Sequence, residues 1–169
     1  MARFINPPGQ QGPQGPQGPQ GEPGEDAAFP SVTSFAVQGG TTENQPTFSG
    51  DPLFYSNYVR MGDLVHFNHK VEMSNITDFG TGQYYMTLPF NAAFDYTFRQ
   101  GCLHDASSNR EYHISGEVEA GSNIMYLYTT DVQFAVRVYD FPFTDGEPIN
   151  LTTSDSFHIG GTYIAEPII

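Results

Sequence analysis

Apolar and polar residues alternate with a period of two along much of the chain after Phe29. Val65, Phe67, His69, Val71 and Met73 share one face of an extended segment, with His66, Asn68, Lys70 and Glu72 on the other. Phe134, Val136 and Val138 oppose Gln133, Ala135 and Arg137 in the same way. Successive side chains of a strand point to opposite faces, so this pattern predicts half-buried strands and no helix. Tyr126 and Tyr128 alternate with Met125 and Leu127. Both faces of that segment are apolar, which predicts cover by a second sheet or another subunit. Gly, Asn, Asp, Ser and Pro interrupt the pattern roughly every 8–12 residues, the spacing of a sandwich or barrel. The predicted strands cover 31–37, 53–60, 64–74, 82–88, 96–103, 111–119, 123–129, 132–139 and 156–164. Turn signals fall between them at Met61-Gly62-Asp63, Gly80-Thr81-Gly82, Ala120-Gly121-Ser122 and Thr144-Asp145-Gly146-Glu147-Pro148. About nine strands over about 140 residues suit a jelly-roll-like β-sandwich.

The N-terminal stretch follows a different period. Gly9, Gly12, Gly15, Gly18, Gly21 and Gly24 recur every third residue, and Pro follows three of them directly. Only glycine fits at the crowded axis of a collagen triple helix, and Pro pre-sets the backbone angle that each strand needs. The segment 7–26 is therefore expected to form a collagen-like stalk, with an N-terminal peptide at 1–6 and a β head at 27–169. A collagen segment has no stable single-chain form, so the unit expected is a homotrimer. The stalk has no Lys or Arg to pair with Glu22, Glu25 or Asp26. A trimeric head is needed to bring its three strands into register.

Charge and composition narrow the partners. The 169 residues carry 19 acidic and six basic side chains, a formal charge of −13, and Lys70 is the only lysine. Phosphate recognition needs concentrated Lys and Arg, so nucleic acid is not an expected partner. One cysteine, Cys102, excludes a disulfide framework within the chain and is expected as a buried thiol. No apolar run approaches the roughly 18 residues of a membrane span. Fourteen Phe and ten Tyr supply rings for a core.

A collagen-like stalk followed by a compact β head is similar to C1q- and tumour-necrosis-factor-like proteins, spore-surface glycoproteins and bacteriophage fibres. The segment Phe54-Tyr55-Ser56-Asn57-Tyr58-Val59-Arg60-Met61-Gly62-Asp63-Leu64-Val65-His66-Phe67 resembles a phage-fibre pattern. In that pattern an aromatic strand, a basic residue and a Gly-Asp turn lead into a Val-rich strand. Gly80-Thr81-Gly82-Gln83-Tyr84-Tyr85-Met86-Thr87-Leu88-Pro89-Phe90 looks like the strand that follows it in such proteins. The resemblance implies a structural virion protein at the virion surface. Its implied partners are itself, a capsid or other virion protein, and a host-surface glycan. Only six residues precede Pro7, less than the adaptor of a tail fibre, so a head (capsid) fibre is expected. A tail-fibre tip, a capsid cement protein that binds no ligand, and a C1q- or spore-coat-like extracellular trimer remain alternatives.

Candidate chemistry is sparse. Arg3, Phe4 and Ile5 offer a cation and two apolar side chains for anchoring in a capsid depression. His66 and His69 are three apart on a predicted strand and point to opposite faces, so they cannot share a metal. His104 and Asp105 could meet a metal only weakly, and a threefold axis could gather one His per chain. No metal site or cofactor is expected. Glu117 with Glu119, Asp140 with Asp145, and Asp105 with Glu111 are carboxylate pairs that a glycosidase could use. An acidic chain supplies such pairs by chance, and no nucleophile elbow, zinc-protease motif or phosphate loop is present. No catalytic residue is expected. Tyrosines suit sugar stacking, but Tyr84, Tyr85, Tyr126 and Tyr128 lie on predicted strands where packing is the simpler reading. Asn57, Tyr58, Phe79 and Asn109 are the candidate glycan contacts.

Overall fold

The computed structural model describes residues 30–131 and 139–167. The stalk expected over 7–26, the expected anchor residues Arg3, Phe4 and Ile5, and positions 132–138 of the strand expected over 132–139 lie outside the described residues. Among those described there is no helix. The strands are β1 (Thr33–Ser34), β2 (Gly39–Thr41), β3 (Thr47–Phe48), β4 (Leu53–Met61), β5 (Leu64–Glu72), β6 (Ile76–Asp78), β7 (Tyr84–Thr87), β8 (Tyr96–Asp105), β9 (Arg110–Val118), β10 (Ile124–Asp131), β11 (Tyr139–Pro142) and β12 (Ser156–Ile164). Ten of them form one antiparallel sheet in the order β1-β4-β5-β12-β8-β9-β10-β7-β2, with β11 sharing the β7 edge of β10. β3 and β6 make a separate small ribbon.

The period-two pattern explains the long strands. On β5, Val65, Phe67, His69 and Val71 are buried, while Leu64, His66, Asn68 and Lys70 face water. β12 repeats the pattern, with Phe157, Ile159 and Tyr163 inside. β4 and β5 pair without interruption from Leu53↔Glu72 to Met61↔Leu64. Their turn closes at Gly62, whose φ of 61° lies in the left-handed region that glycine enters at little cost.

The sheet curls so that its two halves face each other, consistent with a β-sandwich. A register shift between Phe98 and Gly101 breaks the β8–β9 ladder, the kind of irregularity that lets a strand bend. Gly39 of β2 lies against the Phe54 ring of β4. Tyr58 of β4 meets Phe90 with ring centroids 5.2 Å apart, and Phe143 meets Phe157 at 5.7 Å. The Tyr163 hydroxyl donates to the Phe90 carbonyl (3.0 Å) and accepts from the Phe90 N–H (3.2 Å). Between the halves lie Val65, Phe67, Leu103, Ile114, Met125, Leu127 and Ile159, all fully buried. Each large apolar side chain so placed contributes roughly 1.5–3 kcal/mol. A gap of about 30 Å3 among Phe54, Val71, Leu127 and Phe143 is too small and too apolar to hold a ligand.

Register fixes two ends of the head. Thr33 pairs with Tyr58, so the chain enters from Pro30 beside the β4–β5 turn. The Ala165 N–H donates to the Asp63 carbonyl, Ala93 to Ile164, and Ala92 to Ser122, each at 2.8 Å. The β9–β10 turn and the C-terminal residues therefore share this near end. At the far end, Met73 donates to the Asp155 carbonyl at 3.2 Å, and the β8–β9 turn joins them.

Several elements differ from expectation. β1 is only two residues long, β2, β3 and β6 lie outside the expected strands, and β11 meets the strand expected over 132–139 only at Tyr139. The two glycines that open β2 carry no alternation, yet glycine is what lets this strand come close to Tyr85. Cys102 is not a core thiol. It is half-buried on the outer side of β8, next to the fully buried Leu103, because strand alternation turns it outward. Burial, then nearby Glu111, pushes its thiol pKa up.

Candidate functional site

Two surfaces bring polar chemistry together. The first is the far end. Asp105 ends β8 and organises the turn into β9: its Oδ1 accepts from Ser107 N–H (2.8 Å), Ser107 Oγ (2.7 Å) and Ser108 N–H (3.2 Å). Its Oδ2 accepts from Ser108 Oγ at 2.6 Å. These bonds to the charged form, led by the Ser108 and Ser107 hydroxyls, hold the carboxyl pKa down at about 2. Asn109 completes the turn at φ 53°, a conformation that asparagine tolerates better than most residues. Buried Asp155 ties the adjacent loop to this turn. Its carboxylate accepts from Ala106 N–H (2.9 Å) and Thr152 N–H (2.7 Å). Glu72, Ser74, Thr153, Ser154 and Ser156 line a groove of about 290 Å3 beside it. These carboxylate–amide contacts tie the two loops together into a polar tip.

The second surface is a groove of about 280 Å3 on the outer face of β8, β9 and β10. Cross-strand pairing puts Thr97, Glu117, Tyr126 and Tyr85 in one row. On the same face Tyr128 lies beyond the row on one side and Glu119 on the other, where Asp95 closes the near end. Tyr126 and Tyr85 meet edge to face, centroids 6.4 Å apart. Tyr126 is 37% exposed, while Met125 and Leu127 beneath it are fully buried. Among the described residues no second sheet lies over the outer face of β10. Asp95 is engaged as an acceptor from Ala120 N–H (2.8 Å) and shapes the turn. Glu117 and Glu119 have no cationic partner among the described residues. Tyrosine rings beside carboxylates fit a polyhydroxylated ligand: rings cover apolar C–H faces and carboxylates accept from hydroxyls.

The four residues singled out from sequence do not converge. Asn57 is exposed on the outer face of β4. Tyr58 turns inward from the same strand, packed between Phe35 (5.8 Å) and Phe90 (5.2 Å). Phe79 packs against the core and accepts the Tyr84 hydroxyl on its carbonyl at 2.6 Å. Asn109 belongs to the far-end turn. In the sequence the parts of the tyrosine groove are far apart, its tyrosines on alternating strands and its carboxylates scattered along an acidic chain. The turn at Ala120-Gly121-Ser122 held the missing signal: folding β9 back on β10 there places Glu117 opposite Tyr126.

His66 and His69 do lie on opposite faces of β5. His66 Nδ1 is 2.9 Å from Thr162 Oγ1 outside, and His69 Nδ1 is 2.9 Å from Ser56 Oγ inside. His158 and His113 flank Cys102 in the cross-strand register. Among the described residues no cluster of three His, Cys, Asp or Glu is arranged to hold a metal ion. No protein-family model matches the chain, and no curated protein or solved structure matches it significantly.

Proposed function

We propose that this protein is a homotrimeric fibre or decoration protein of a bacteriophage virion. In this reading, residues 1–6 anchor it to the capsid through Arg3, Phe4 and Ile5, and the collagen-like stalk carries a jelly-roll head outward. The observation that carries the reading is the unbroken glycine period from Gly9 to Gly24, placed directly before an all-β head. The two-ended head supports it: the chain arrives at the near end, and the polar turns at Asp105 and Asp155 lie opposite. The function is geometric. Six triplets span about 60 Å at roughly 3.1 Å per residue, which holds three heads away from the particle. Three heads per fibre turn weak contacts with host glycans into avidity, and the tyrosine groove has the chemistry for such contacts.

The test is decoration of particles. Purified full-length trimers are mixed with particles that lack the protein, and occupancy is read by electron microscopy. Full-length protein rebinds, and a variant lacking residues 1–6 does not. Failure of the full-length protein to bind any virion component overturns the reading. A particle that is less heat-stable without the protein, while host binding is unchanged, favours the cement function instead.

A further inference from the structure

The near end carries an apolar strip that nothing among the described residues covers. Val32 is 68% exposed, Met61 55% and Leu64 37%. Met61 pairs with Leu64, and Leu64 with Ile164, across β4, β5 and β12. Extending the β1–β4 register by one residue puts Val32 beside Val59. These side chains share the outer face of one half of the sandwich, and they form a continuous apolar surface at the point where the chain enters from the stalk. Residues this apolar and this exposed on a soluble head mark an interaction site.

The position of the stalk names the occupant. Gly24 is the last glycine of the collagen period and Pro30 the first described residue, six positions later. Six residues reach at most about 20 Å. Three chains that share a triple helix must therefore bring their three Pro30 residues, and the Val32 side chains just beyond them, close to one axis. We infer that the strip formed by Val32, Val59, Met61, Leu64 and Ile164 is the surface each head turns toward two further copies of this chain around that axis. The inference rests on the trimeric reading and adds which face is central. It leaves the tyrosine groove, on β8, β9 and β10 of the same curled sheet, pointing away from the axis and open to ligand.

Nitroxide labels on full-length protein test it, in a Cys102→Ser background, at Met61→Cys and separately at Tyr126→Cys. Pulsed dipolar spectroscopy then gives the distance between equivalent labels in the three copies. The inference predicts the shorter distance at Met61. It also predicts that Met61→Asp raises the concentration at which trimers dissociate by about tenfold or more, as expected for losing one buried large apolar side chain. Met61 is exposed in the single chain, so this change leaves the head folded. A trimer whose Tyr126 labels are closer than its Met61 labels, or whose dissociation ignores Met61→Asp, overturns the inference and leaves the trimeric reading standing. A protein that sediments as a single chain overturns both.

Discussion

His69 is an imidazole shut away from water. Its Nδ1 faces Ser56 Oγ, its Nε2 has no hydrogen-bond partner among the described residues, and the Phe35 and Phe67 rings lie 5.5 and 4.9 Å away. Burial holds its pKa down at about 4. The same side chain in the unfolded chain takes up its proton near pH 6.5. Protonation therefore favours the unfolded state as pH drops from 6.5, and the effect levels off below about 4. The head loses about 3 kcal/mol of stability over that window. Urea midpoints at pH 7 and pH 4.5 check this, and His69→Gln flattens the difference. Asp105 acts in another window. Its carboxyl is held down at about 2, so what it contributes is present above the ordinary carboxylate range and is lost as pH falls through 2. Asp105→Ala instead frees the turn at neutral pH, and faster hydrogen exchange at Ser107 and Ser108 reports it. That His69 faces inward follows from β5 alternation alone. Its missing second partner depends on what packs around it, which no local pattern specifies.

Among the elements, β8 and β12 show where the sheet has no slack. Gly101 sits at the β8 register shift. A Cβ there would lie 2.6 Å from the Ile114 carbonyl oxygen and 3.2 Å from that of His158. Both are backbone atoms of neighbouring strands and cannot swing aside. Gly101→Ala is therefore expected to cost about 1–3 kcal/mol, read as a lower denaturant midpoint. Tyr163→Phe removes the hydroxyl that both donates to and accepts from Phe90, and is expected to cost about 1 kcal/mol and to loosen the segment after β7. Long, strictly alternating strands such as β5 and β12 were legible in the sequence to within a residue or two. The short ones were not. β2 is mostly glycine, β3 is two residues long, and β11 is held by its pairing with β10. Such strands exist because a neighbour offers hydrogen bonds, so their signal lies in the fold and not in their own residues. The groove at Tyr126 failed to appear for a related reason: Thr97, Glu117 and Tyr126 belong to three strands, and only register unites them.

The whole molecule is governed by the contrast between its two halves. The head is a folded single-chain object with an apolar core, whereas a Gly-X-Y repeat makes its hydrogen bonds only between three chains. In the trimer we propose, the heads bring three stalk segments together and the stalk in turn locks the trimer. Gly15→Ala interrupts the repeat where a side chain cannot fit, so the stalk's polyproline-type dichroism should melt at a lower temperature while the head's transition is unchanged. The most direct measurement is the solution mass of the full-length chain, by sedimentation equilibrium at low micromolar concentration. The account predicts a single species of three times the 18.6 kDa chain mass. A species of one chain mass across that range would contradict it.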